Sequence, residues 1–414
     1  MKFEEKRKIA LDRASELKSR IEPYLEAREK IPAGLNMQQE FDRNKKKIMD
    51  YFGAGEDEWN DWRWQLRHCI SDVETLSNFI DLSDEEKEEI KKAGEKYRWS
   101  ISPYYLSLVD PKDRDCPIWK QGIPSMLEIN DPHGVADPMA EEFTSPADRI
   151  TRRYPDRLII NVTNQCAMFC RHCQRKRNIG EVDKAAPREE VQKAIDYVRN
   201  NPEIRDVLIT GGDPLTLSNE RLEEYISQLW DIPSVEIIRI GSRTPVTMPQ
   251  RITQELCDML EKYPPIYVNT HFNHPKEVTH EALKACRRLA KAGIAIGNQA
   301  VLLKEINNDP HIMKKLNHEL LKIHVRPYYI FHAKSVKGTT HFVPRVEEGI
   351  EIMENLRGYT SGMAIPTYII NAPDGNGKTP ILPQYLISQG KGYVTIRTWE
   401  GKVFKYPNGY DLEE

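Results

Sequence analysis

Arg157-Leu-Ile-Ile-Asn-Val-Thr163 runs directly into Asn164-Gln-Cys166-Ala-Met-Phe-Cys170-Arg-His-Cys173-Gln-Arg175. The first segment is apolar and rich in β-branched residues, the pattern of a buried strand, so the three cysteines fall on the loop just past it. Their C-x-x-x-C-x-x-C spacing lets three thiolates hold three irons of a 4Fe–4S cluster and leaves the fourth iron free for a small chelating molecule. The bland alternative is a structural zinc knuckle with His172 as fourth ligand. His172 lies between two of the cysteines, which makes a closed tetrahedral site hard to build.

Outward from this stretch the chain alternates regularly. Short β-rich runs fall at 158–162, 206–210, 235–240, 266–270, 294–298, 325–331 and 366–370. Amphipathic helical stretches separate them near 188–200, 219–230, 251–262, 279–291, 310–323 and 346–356. Strands alternating with helices imply parallel strands joined by crossovers. Six or so units favour a full or partial β/α barrel over a doubly wound sheet, with chemistry on the loops after the strand C-termini.

Residues 1–150 are expected to form a helical region and connection, 151–385 the barrel core, and 386–414 a small β-rich interface element. The first fifty residues are densely charged, with Ile9, Leu11, Leu17, Ile21 and Leu25 at helical spacing, as in a solvated arm that meets a partner subunit. Trp59, Trp62 and Trp64 are expected to be packing anchors. Of the seven cysteines, Cys69, Cys116, Cys257 and Cys286 are scattered singly, so no disulfide framework is visible and a reducing, cytoplasmic setting is expected. Nothing at the start resembles a signal peptide, and no apolar run approaches a membrane span. A net charge of −3 with both signs interspersed argues neither for nucleic acid nor for an anionic membrane, and neither is expected as a partner.

Polar groups gather where the barrel would carry its chemistry. Gly211 and Gly212, after the second β-rich run, let backbone approach a ligand closely, and Asp213 adds an acceptor. His271 and Gln299 close the fourth and fifth runs in the same way. Ala372-Pro-Asp-Gly375-Asn-Gly377-Lys378-Thr comes after the last, and its glycines allow a loop that presents Lys378 inward. A lysine held there can form a Schiff base with a carbonyl cofactor. A phosphate-binding P-loop is the rival, since Gly377-Lys378-Thr379 matches its ending. It needs glycine where Ala372 stands and a helix directly after the motif, whereas Pro380 and Pro383 stand there instead.

Taken together, Arg153-Tyr-Pro-Asp-Arg157, the cysteine motif with Arg175, Gly-Gly-Asp213, Gly241-Ser-Arg-Thr-Pro, Asn269-Thr-His-Phe-Asn-His and Ala372-Pro-x-Gly-x-Gly-Lys378 resemble the lysine 2,3-aminomutase family over roughly residues 57–400. These are radical S-adenosylmethionine enzymes that also carry pyridoxal 5′-phosphate. The resemblance implies a partial (β/α)6 radical SAM barrel, with a cluster on Cys166, Cys170 and Cys173. It implies S-adenosylmethionine contacts from Gly211, Gly212, Asp213, His271 and Gln299. It makes Lys378 the Schiff-base lysine, sets Arg153, Tyr154 and Arg157 at the pyridoxal phosphate, and assigns Arg175 to the substrate α-carboxylate. It also implies an amino-acid substrate, a cellular electron donor such as flavodoxin or ferredoxin, and a homo-oligomer.

Two departures qualify the resemblance. Lysine-acting members hold the substrate ε-ammonium with acidic side chains, and the matching positions here are Lys334 and Asn371. Two like unit charges at about 4 Å repel by roughly 4 kcal/mol at an effective dielectric near 20, so a lysine side chain is refused and an acidic one welcomed. Reversal at both positions resembles the glutamate 2,3-aminomutase branch, which converts L-glutamate to β-glutamate. Some lysine-acting members also bind zinc through cysteines near the chain end, and no cysteine follows Cys286 here. The alternatives are the same chemistry on lysine or another amino acid, and a non-catalytic iron–sulfur protein that transfers electrons or senses iron. The last would leave Lys378 and Arg175 without a task.

Overall fold

The computed structural model describes residues 3–390 and 392–409. Nine strands follow chain order in one sheet: β1 (Ile150–Thr151), β2 (Arg157–Thr163), β3 (Asp206–Gly211), β4 (Ile237–Gly241), β5 (Ile266–Thr270), β6 (Ala295–Leu302), β7 (Arg326–His332), β8 (Thr367–Ala372) and β9 (Gly377–Pro380). Each step from β2 to β8 is parallel, while β1 and β9 pair antiparallel on the two outer edges. Among the described residues β1 does not pair with β9, so the barrel stays open.

The alternation of side chains explains what the curled sheet encloses. In β2, Leu158, Ile160 and Val162 are buried, while Ile159, Asn161 and Thr163 line a central cavity. Outside, helix Arg188–Arg199 buries Val191, Ala194, Ile195 and Val198, and helix Asn219–Trp230 buries Leu222, Tyr225, Ile226 and Leu229. That is the one-sided stripe expected of a helix laid on a sheet, each fully buried aliphatic side chain contributing about 1.5–3 kcal/mol. Ser218 caps the second helix by accepting from the Arg221 amide.

Three details differ from the sequence expectation. The crossover expected near 251–262 begins as a helix at Gln254, because Pro249–Arg251 makes a 3-10 turn and Thr253 supplies the N-cap of the helix. β6 continues to Leu302 with its register slipping between Asn298 and Gln299, so Gln299 lies inside a strand rather than at its end. Lys378 is not on a loop but in β9, because the turn after β8 folds the chain back as an antiparallel edge.

The helices Phe3–Lys30, Gln38–Phe52 and Asp84–Lys96 precede the sheet. The first buries only Tyr24, whose hydroxyl lies 2.9 Å from His318 Nδ1, and Arg13 on it pairs with Glu400 at 2.5 Å. Trp59, Trp62 and Trp64 are buried. β10 (Leu386–Gly390), β11 (Tyr393–Arg397) and β12 (Val403–Pro407) form a separate antiparallel sheet.

Candidate active site

A cavity of about 760 Å³ opens at the C-terminal ends of the parallel strands, a volume suited to small molecules. Cys166, Cys170, Cys173, Arg153, Arg175, Gly211, Gly212, Asp213, His271, Gln299, Lys334, Asn371 and Lys378 all line it. Tyr154 and Arg157 stand behind this lining, Tyr154 accepting from the Lys378 amide at 2.9 Å.

The cysteine loop is held from outside the barrel. Ile101 bridges to Met168, the Phe169 amide donates to Ser100 O, and the Arg171 amide donates to Gln121 O. Glu128 accepts from Arg171 Nε at 2.9 Å and from Arg171 Nη2 and Lys176 Nζ at 2.5 Å each, with all three side chains buried. Removing one member of such a set leaves an uncompensated buried charge, which costs about 3–5 kcal/mol. The loop is therefore braced by the protein's own contacts. Burial and the neighbouring Asp213 push the Cys166 thiol well up, and burial with Cys170 nearby raises Cys173. A bound metal would offset that cost by stabilising thiolates. Among the described residues no three His, Cys, Asp or Glu side chains converge as ligands of a single metal ion. A cluster takes each thiolate on a different iron, and the three thiols line one cavity close enough to raise one another. His172 Nε2 lies 3.3 Å from Asn273 Nδ2, and its Nδ1 has no partner.

Beneath the cysteines, Gly211 adopts φ +130°, and a Cβ added at Gly212 would fall 2.4 Å from the Gln165 carbonyl oxygen. The turn thus packs directly under the cysteine loop, which only glycine permits. The Asp213 carboxylate accepts from Ser242 Oγ, from the Leu215 amide and from the amides of Arg243 and Thr244. Four bonds saturate it, so it braces the β4 loop and is not available as a ligand acceptor. That loop carries Arg243, whose Nη1 donates to Cys170 Sγ at 2.8 Å and whose Nη2 pairs with Glu277 at 2.7 Å. His271 Nδ1 lies 2.8 Å from Gln299 O, and burial lowers the imidazole to about 4, so it is neutral at pH 7.

At the far edge, Gly375 and Gly377 take φ of +77° and +89° and turn β8 into β9, setting Asn371 directly opposite Lys378. Opposed residues share a face of the sheet, so both side chains enter the cavity. Lys378 Nζ sits 4.9 Å from the Tyr329 ring centroid. Burial, with Arg239 and Arg157 nearby, lowers its amine to about 8. Arg157 stacks 4.0 Å over the Tyr154 ring, and Arg153 Nε is buried without a partner.

Anion-binding groups collect in the same space. Lys334 Nζ donates to Gln174 Oε1. Burial and the Arg175 charge lower it to about 7. Asn371 Nδ2 is buried with no partner. Arg175 is gripped by Glu141, Nε to Oε2 at 3.3 Å and Nη2 to Oε1 at 3.1 Å.

Sequence reasoning alone did not reach Glu141, Gln174, Glu128 or Arg243. Arg243 lies within the Gly241-Ser-Arg-Thr-Pro motif and could be found there. Glu141 and Glu128 belong to an aperiodic stretch in which nothing local marks them.

Comparison with known proteins agrees with this arrangement. Residues 160–316 match the Radical SAM superfamily, and residues 353–413 match the family described as Lysine-2,3-aminomutase. The chain is 59% identical over 401 residues to glutamate 2,3-aminomutase of Clostridioides difficile (strain 630), covering 97% of this chain and 95% of that one. It is 51% identical to L-lysine 2,3-aminomutase of Clostridium subterminale, covering 84% of each chain. It is 50% identical to L-lysine 2,3-aminomutase of Fusobacterium nucleatum subsp. nucleatum, covering 86% of this chain and 85% of that one.

Proposed function

Because this chain belongs to the lysine 2,3-aminomutase family of radical SAM proteins, we propose that it is an isomerase converting L-glutamate to β-glutamate by moving the amino group from C2 to C3. The observation that carries the substrate choice is the cation and the unpartnered amide, Lys334 and Asn371, in the cavity that also holds Arg175 and Lys378. A substrate ending in ammonium would face Lys334, whereas a γ-carboxylate gains a charge-assisted donor and satisfies Asn371 Nδ2.

When bound, the 4Fe–4S cluster and S-adenosylmethionine supply a 5′-deoxyadenosyl radical, and pyridoxal 5′-phosphate supplies the carbonyl that carries the migrating nitrogen. The residues present fit these groups: three thiols on a braced loop, a glycine turn beneath them, a lysine amine near neutrality, and the unpaired Arg153 Nε. Cys166, Cys170 and Cys173 would hold the irons. Gly211 and Gly212 offer backbone to S-adenosylmethionine, with His271 and Gln299 beside them, while Asp213 steadies the neighbouring loop. Arg153 and Arg157 neutralise the phosphate, and Tyr154 fixes the backbone of Lys378. Lys378 Nζ would be the amine that holds the pyridoxal carbonyl, a role for which an amine at about 8 is well suited. Arg175 holds the α-carboxylate, and Lys334 with Asn371 holds the γ-carboxylate. Fixing both ends brings C3 to one place and keeps a reactive carbon radical from misplaced partners.

We further assign electron supply to a small reductant such as flavodoxin or ferredoxin in the cytoplasm. Homo-oligomer contacts are assigned to the exposed apolar residues of the first helix and of β12, including Leu11, Val403 and Tyr406. No helix of the described residues is long and apolar enough to cross a membrane.

The deciding experiment is an anaerobic amino-acid panel with S-adenosylmethionine and dithionite, scored for β-amino products. Glutamate should lead. Faster turnover of lysine at equal subsaturating concentration would overturn the substrate assignment, and a protein purified anaerobically without pyridoxal phosphate would favour an electron carrier. Borohydride reduction should fix the pyridoxyl group on Lys378 alone. Peptide mapping that placed it on Lys334 would overturn both lysine assignments together.

The pH profile gives an independent check. Lys334 must be charged to bind a carboxylate, and its amine lies at about 7 against an ordinary 10.5. The profile of kcat/KM reports groups of the free enzyme. It should therefore decline as pH rises, with an alkaline limb well below 10.5. Lys334→Arg keeps its charge throughout and should move that limb upward; an unmoved limb assigns the titration to another group.

A further inference from the structure

Among the described residues Glu141 is the one acid of the cavity wall that lies within 4.0 Å of three arginines, at 3.1 Å from Arg175, 3.3 Å from Arg153 and 4.0 Å from Arg177. Its carboxylate takes the Nε and Nη2 edge of Arg175. A guanidinium has five N–H groups in a planar fork, so this grip leaves both hydrogens of Nη1 and the second of Nη2 for another carboxylate on the adjacent edge. We propose that Glu141 is a positioning residue, holding Arg175 from behind so that its second edge receives the substrate α-carboxylate; this rests on the function proposed above.

The segment that carries Glu141 is tied down on both sides. The Arg152 amide donates to Thr144 O at 2.8 Å, and the Asp374 amide donates to Pro138 O at 3.2 Å, joining the segment to the turn between β8 and β9. A Cβ added at Gly375 would stand 3.1 Å from Thr144 Cγ2, so the two chains are in close contact. Arg177, two residues past Arg175, is secured to Asp137 at 3.0 Å. This anchoring fits a fixed brace, whereas a flap that filled the substrate position and swung away would need a free segment. The charge also matters: Arg153, Arg175, Lys334 and Lys378 face one space, and burial that would raise the Glu141 carboxyl is outweighed by Arg175, Arg153 and Arg177, which hold it ionised.

The test compares wild type, Glu141→Gln and Glu141→Asp as anaerobically reconstituted holoenzymes, with L-glutamate and its α-amide measured as substrates or competitive inhibitors. Glu141→Gln should raise KM for glutamate about ten- to hundredfold, the scale of one charge-assisted contact, with kcat changed far less. Iron, sulfide and pyridoxal contents should stay at the wild-type level. Preference for the α-carboxylate over the α-amide should shrink by a similar factor, a ratio that a merely structural defect would not move. Glu141→Asp keeps the charge and should lie between the two, and it alone decides the outcome if the Gln variant loads its cofactors poorly. A KM that stays the same or falls, or an undiminished preference for the carboxylate, overturns the proposal. Should wild type turn over another amino acid instead of glutamate, the substrate assignment fails by itself, and the same comparison on that amino acid still decides Glu141, since the α-carboxylate is common to all.

Discussion

Cys170→Ala is expected to eliminate turnover and to leave the reconstituted protein short of iron and sulfide. A cluster that loses one of three thiolates loses a bond and gains an iron open to solvent. The braced loop cannot shift another donor into place, because Arg171 and Lys176 on either side of Cys173 are locked to the buried Glu128. Cys170 is also the sulfur that Arg243 approaches at 2.8 Å, so the variant leaves a buried guanidinium facing a methyl group. Cys166→Ala and Cys173→Ala should behave alike. Cys257→Ala is the control: this thiol is buried in helix Gln254–Glu261, away from the cavity wall. Losing one buried heavy atom there costs about 1 kcal/mol of stability and should leave activity intact. Iron and sulfide analysis beside an anaerobic assay checks all four proteins. Full turnover by a cluster-free Cys170→Ala protein would sink the radical mechanism.

The second large effect is expected from Lys334→Asp combined with Asn371→Asp, which should nearly eliminate glutamate turnover. Each new carboxylate within about 4 Å of the substrate γ-carboxylate costs roughly 4 kcal/mol at an effective dielectric of 20, about three decades in binding. Lys334→Ala removes an attraction without adding a repulsion, so a loss of about one to two decades is expected there. The two sites are close enough to couple, so their effects should not simply add. Asn371 stands opposite Lys378 in the β8–β9 register, and a carboxylate there also stabilises the Lys378 ammonium. The single Lys334→Asp variant separates substrate repulsion from that second effect. Cluster content should remain normal in all of them, and pyridoxal content in the variants changed at Lys334 alone. Lysine turnover need not appear, because a changed charge does not supply the depth and support that a longer side chain requires. Undiminished glutamate turnover by the double variant would show that Lys334 and Asn371 do not meet the substrate.

Much of the architecture was legible locally. Hydrophobic periodicity located the seven parallel strands and six crossovers to within a few residues, because each strand and helix must bury one face whatever its neighbours are. The thiol loop and Lys378 could be placed at the cavity for a similar reason: their motifs are written in short-range spacing. Tertiary structure decided the rest. It set Lys378 in an edge strand opposite Asn371, since hydrogen bonding across the Gly375–Gly377 turn is what creates β9. It put Gln299 inside β6 through a register slip, and it used up the Asp213 carboxylate on the β4 loop. It brought Arg243 to Cys170 across 73 residues and Glu141 to Arg175 across 34. Periodicity reports which face of an element is buried, but not which side chain arrives opposite it from another element. That meeting is fixed only when parallel strands converge their carboxyl ends on one cavity.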